Sequence, residues 1–151
     1  MKSKIVIEGI SLAFVFLFAY AAISKLLDIQ QFRVLIGQSP LLTSFADAAA
    51  WGVPTFELII CLLLVVPRFN FFGLLASFSL MVLFTAYIIA ILGYGEHIPC
   101  SCGGVLSSMG WKEHLVFNVF FTALALIGIV LSANHKSSDG TSELAKTHAA
   151  K

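Results

Sequence analysis

The stretch WGVPTFELIICLLLVVPRFNFFGLLASFSLMVLF, residues 51–84, decides the fold. It holds two apolar runs with a tight turn, Val66-Pro67-Arg68-Phe69-Asn70, between them. About 17 to 25 apolar residues carry a helix across roughly 30 Å of hydrocarbon, at about 1.5 Å per residue. Both runs meet that length when followed outward, and two more of the same kind lie beyond them. The four predicted spans cover about residues 5–23, 45–66, 71–92 and 115–131. Lipid offers no partner to backbone N–H and C=O groups, so each span must be helical. The expected fold is all-α, an integral membrane four-helix bundle.

Composition agrees. Of 151 residues, 59% are hydrophobic and 11% charged, which excludes an ordinary water-soluble domain of this size. Nine Lys and Arg stand against eight Asp and Glu. That balance points away from nucleic acid and leaves membrane lipid as the surroundings. No internal repeat is evident. Residues 132–151, SANHKSSDGTSELAKTHAAK, are small, polar and unpatterned, the composition of a disordered tail.

Four spans put both ends of the chain on one side. That side holds Lys2, Lys4, Arg68, Lys136, Lys146 and Lys151, and the other holds Lys25, Arg33 and Lys112. Six basic residues against three place both termini in the cytoplasm of a bacterial inner membrane. The connection after the third span then faces the periplasm, where disulfides persist. The opening MKSK, an apolar stretch and AYA at residues 19–21 also have the parts of a cleaved signal peptide. The length of the stretch and the charge of Glu8 near its start argue for a retained span. Glu8, four residues after Lys4, reads as half of an interfacial ion pair.

The first outer connection carries helical signals. Asp28 followed by Gln31 is a capping-box pattern, Ile29, Phe32, Leu35 and Ile36 recur at helical spacing, and Gly37 and Pro40 supply stops. A short amphipathic helix at the membrane surface is expected there, with Thr43 or Ser44 capping the second span.

The segment HIPCSCGGV, residues 97–105, is the chemical centre of the sequence. Cys100 and Cys102 are separated by one residue, so a disulfide between them closes a tight and readily reduced ring. Pro99, Gly103 and Gly104 suit a sharp turn, and the glycines leave backbone N–H groups to stabilise a thiolate. His97, Lys112 and His114 add nearby groups that lower a thiol pKa. Three chemistries fit: a redox pair, a metal site of Cys100, Cys102, His97 and His114, or an inert disulfide or idle thiols. The favoured one is thiol–disulfide exchange, in which one sulfur attacks a partner disulfide and the other resolves the mixed intermediate. Cys61, deep in an apolar run, reads as packing.

Glu57 lies near the middle of the second span, three residues after the helix-kinking Pro54. A charge at that depth must face the interior, pair, or be neutral. It is either a proton-handling or ligand-contacting acid, or one end of a helix–helix hydrogen bond. Lys25 either reaches inward to Glu57 or snorkels outward. Asn118 and Thr122 are candidate interior partners and read first as helix glue.

SKLLD at the end of the first span, PTFE in the second and CSCGG before the fourth resemble the MauE/DoxX group of redox-associated membrane proteins. The MauE branch, named for methylamine utilisation, is the nearer likeness, over about residues 5–131. The resemblance implies a four-helix membrane protein that assists maturation of an exported, disulfide-rich client, the small subunit of methylamine dehydrogenase for the namesake. It also implies periplasmic thioredoxin-like partners, Cys100 and Cys102 as the redox pair, and Lys25 and Glu57 as family-typical polar positions. Gly103-Gly104 departs from the Phe-Gly expected after the second cysteine in many members. With a single outer pair, the chain needs an external partner or a quinone held in the bundle near Glu57 to complete an electron path. The alternative is a non-catalytic accessory subunit or scaffold of a maturation or quinone-linked complex.

Overall fold

The computed structural model describes residues 2–37, 43–94 and 110–149. Its helices are α1 (Lys2–Leu27), α2 (Ile29–Gly37), α3 (Ala46–Val65), α4 (Asn70–Tyr94) and α5 (Trp111–Ala149), with a single 3-10 turn at Thr43–Phe45 before α3. No strand occurs among the described residues. Four helices are long and apolar enough to cross a membrane, at Ser3–Leu27, Ala46–Val65, Asn70–Ala90 and Lys112–Asn134. These are the four expected spans.

The main packing pairs are α1 with α3, α3 with α4, α4 with α5, and α5 with α1. The long helices therefore form a closed ring in which each neighbour runs antiparallel, an up-down-up-down bundle. Phe14, Phe18, Ile60, Leu64, Leu74, Met81 and Ala125 fill its centre. Phe14 stacks on Phe18 at 5.7 Å and meets the edge of Phe121 at 5.4 Å, which joins α1 to α5 through aromatic contact. Phe16 and Phe120 point outward, as lipid-facing side chains do. Hydroxyls inside the bundle are satisfied by carbonyls one turn back, as in Ser77 to Gly73 at 2.8 Å and Thr85 to Met81 at 2.7 Å.

The turn between α3 and α4 is locked by hydrogen bonds. The Phe69 amide donates to the Val66 carbonyl at 2.9 Å. The Asn70 side chain donates to Ser11 Oγ and to the Leu64 carbonyl, both at 2.9 Å, and so ties the start of α4 to α1 and to the end of α3. Gly73 lets the two backbones approach. A Cβ there would lie 2.9 Å from the Leu64 nitrogen and 3.0 Å from the Leu63 carbonyl carbon.

Expectations for the first connection hold in part. Asp28 accepts from the Gln31 amide at 3.3 Å, its half of the capping box. Phe32 and Ile36 are buried against Ala50 of α3, as the amphipathic pattern requires. The N-cap of α3 is Phe45, one residue past the expected Thr43 or Ser44, and it makes no side-chain hydrogen bond, because the 3-10 turn Thr43–Phe45 carries the chain up to the helix start. At the other end, α5 continues to Ala149. A helix already nucleated in the membrane gains one hydrogen bond per added residue at small cost, and Leu144, Ala145 and Lys146 are good helix formers.

Gly73→Ala is expected to destabilise the purified protein by about 1–3 kcal/mol through forced separation of α3 and α4. Gly52→Ala, where an added Cβ meets nothing within 4 Å, is expected to be neutral or slightly stabilising. Thermal unfolding in detergent distinguishes the two.

Candidate functional site

Among the described residues one charged side chain is sealed from solvent, Glu57, at 0% exposure. It lies on the inward stripe of α3 together with Ala50, Pro54, Ile60, Cys61 and Leu64. Trp51, exposed on the outside of α3, is six residues nearer the helix start, so Glu57 sits about 9 Å deeper. Pro54 stays within the helix and is itself buried. It has no N–H to offer the Ala50 carbonyl, so α3 is weakened one turn before the acid.

Lys25 meets Glu57 across the α1–α3 interface, with Nζ 2.8 Å from Oε1. The same ammonium donates to the Ala21 carbonyl at 3.3 Å. Both contacts follow from helix geometry. Side chains lean toward the N-terminus of their own helix, and Lys25 lies in the last turn of α1, so leaning back carries it into the bundle. Of the two expected behaviours, reaching inward is the one observed. The Phe32 ring of α2 lies 5.8 Å from the ammonium and shields it as a cation–π neighbour. His114, half-buried in the second turn of α5, lies within electrostatic reach of Lys25. One lysine thus links three helices, α1, α2 and α3, at the same end of the bundle.

The remaining polar groups are committed within or between their own helices. Asn118 is buried and donates to the His114 carbonyl at 2.9 Å, and Thr122 donates to the Asn118 carbonyl at 2.7 Å. Both stay within α5 rather than crossing to Glu57. Cys61 lies 3.6 Å from the Val15 carbonyl of α1 and packs in the core, as expected. Arg33 and Asp47 form an exposed ion pair that holds α2 to the start of α3. The Lys4–Glu8 pair is present and exposed at 3.9 Å. Sequence reasoning missed Asn70 and Phe32 as polar and cation partners. Asn70 was legible only as a turn residue and Phe32 only as an apolar repeat, since their partners are remote in sequence.

His97, Cys100, Cys102, Gly103 and Gly104 lie outside the described residues. No cluster of three potential metal ligands occurs among the described residues. By connectivity, residues 95–109 join the end of α4 to the start of α5, the end of the bundle that also carries Lys25 and His114.

Removal of Lys25 strands a carboxylate in the bundle, whereas removal of Glu57 leaves a lysine that still reaches the surface. Lys25→Met is therefore expected to cost about 3–5 kcal/mol, and Glu57→Gln less. The Lys25→Met/Glu57→Gln double variant should be more stable than Lys25→Met alone, read as a coupling energy in a thermal-unfolding double-mutant cycle. Asp47→Asn, at the exposed pair, should cost less than about 1 kcal/mol.

A sequence model of the family described as methylamine utilisation protein MauE matches residues 3–131. No curated protein and no solved structure matches the chain.

Proposed function

The chain belongs to the methylamine utilisation protein MauE family, and from that premise we propose that it serves the maturation of an exported, disulfide-containing client by thiol–disulfide exchange at Cys100 and Cys102. The observation that carries this reading is the reach of the family match, which takes in all four membrane helices and the cysteine-bearing connection between the last two. The chain is a multi-pass membrane protein linked to methylamine utilisation. In the proposed reading it lies in the bacterial inner membrane with both termini in the cytoplasm, and the distribution of Lys and Arg supports that orientation.

The proposed cycle needs no group beyond two sulfurs and a partner. A thiolate of the pair attacks a disulfide of a thioredoxin-like partner or client, forming a mixed disulfide and releasing one partner thiolate, which takes up a proton. The second cysteine, deprotonated, attacks the first. That step closes Cys100–Cys102 and releases the partner's other sulfur as a thiol. Two electrons pass from the pair to the partner, and the reverse sequence oxidises a dithiol client. His97, Gly103 and Gly104 support the thiolate in this reading, and His114 lies beside them in the chain. Lys25 and Glu57 join α1 to α3.

Cys100→Ser and Cys102→Ser single variants test the proposal. One of them should accumulate a mixed disulfide visible as a higher-mass adduct on a non-reducing gel and lost with reductant. If neither yields an adduct under oxidising conditions, and the double variant supports full client maturation, the chain acts as an accessory scaffold instead.

A further inference from the structure

Glu57 leaves one oxygen unaccounted for. Oε2 is the single buried side-chain nitrogen or oxygen without a hydrogen-bond partner among the described residues. Its neighbour Oε1 is held by Lys25 at 2.8 Å, and the same ammonium donates to the Ala21 carbonyl at 3.3 Å. Among the described residues, Lys25 is the one side chain that donates a hydrogen bond to Glu57. The donors nearest along α3 are spent elsewhere: Thr55 on the Trp51 carbonyl at 2.8 Å, and Cys61 on the Val15 carbonyl. Across the bundle, Asn118 donates to His114. Buried polar atoms in native proteins are almost always satisfied, and a carboxylate oxygen is among the most expensive to leave bare.

We propose that Glu57 Oε2 anchors a ligand site inside the end of the bundle, filled by the O–H group of a small neutral molecule. The chemistry follows from the surroundings. An ionised carboxylate only accepts hydrogen bonds, so the occupant donates. Lys25 already balances the charge, so a further ion would stand uncompensated in a medium that penalises it, and the occupant is neutral. The ammonium has a third N–H beyond those given to Glu57 and Ala21. A hydroxyl is the group that accepts from such an N–H while donating to Oε2. Lys25, at 15% side-chain exposure against 0% for Glu57, marks the way in, beside the Phe32 ring of α2. Two sources supply this chemistry, a water molecule or the hydroxyl end of an amphiphile entering from the bilayer. The site rests on α1, α2 and α3 and is independent of the thiol reading.

The test is a high-resolution structure of the full chain in nanodiscs of phosphatidylcholine alone, which carries no O–H donor, and of phosphatidylcholine with diacylglycerol, a neutral amphiphile that does. The expected result is density about 2.5–3.0 Å from Oε2. Isolated, water-sized density in both lipids assigns the site to water. Elongated density confined to the second lipid, with a matching retained mass in native mass spectrometry, assigns it to an amphiphile. Lys25→Met/Glu57→Leu, which removes both charges together, should lose the density. Absence of density in both lipids, or a donor from residues 95–109 seated on Oε2, overturns the proposal.

Discussion

A carboxylate enclosed by hydrocarbon has to be matched by charge from its own chain, and in this protein Lys25 matches Glu57 at 2.8 Å. The pair joins the last turn of α1 to the middle of α3, the two helices with the most extensive shared interface. An ion pair at this depth contributes little net stability over a well-packed apolar pair, since both partners give up water to form it. Its effect is on specificity of arrangement. Any slip of α1 along α3, or rotation of either, separates the charges and exposes the full cost of an unpaired carboxylate. The register of the bundle is set by that penalty more firmly than by interchangeable Leu, Ile and Phe contacts.

The two ends of the bundle solve different problems. At the α3–α4 turn, Asn70 satisfies two acceptors and Gly73 permits close backbone approach, so this end is tied by short-range polar bonds and tight packing. At the opposite end, α2 covers α3 through Phe32 and Ile36, while Lys25 collects contacts from α1, α2 and α3. That second end is where the chain departs from α4 and returns as α5.

Much of this was legible in the sequence because the bilayer reduces the choices. Once runs of apolar residues exceed the hydrocarbon thickness, backbone hydrogen bonding dictates helices, and the short Pro67–Asn70 turn dictates an antiparallel hairpin. The Asp28 cap, the amphipathic face of α2 and the Lys4–Glu8 pair were readable because both partners lie within one or two turns. Local pattern failed where a neighbouring element intervened. Thr43 and Ser44 look like caps but sit in a 3-10 turn, and Phe45 takes the N-cap position of α3.

By itself the sequence determined the four spans, the surface helix between the first two, and the candidate groups Lys25, Glu57, Cys100 and Cys102, because hydropathy and residue chemistry are properties of the chain alone. Only the tertiary structure decided that the four spans close into a ring, that Lys25 turns inward rather than outward, and that Asn118 and Thr122 bond within α5. It alone revealed that one oxygen of Glu57 is left over. The reason is geometric: 32 residues separate Lys25 from Glu57, and no local periodicity encodes whether two charges on different helices arrive at the same depth and on facing stripes.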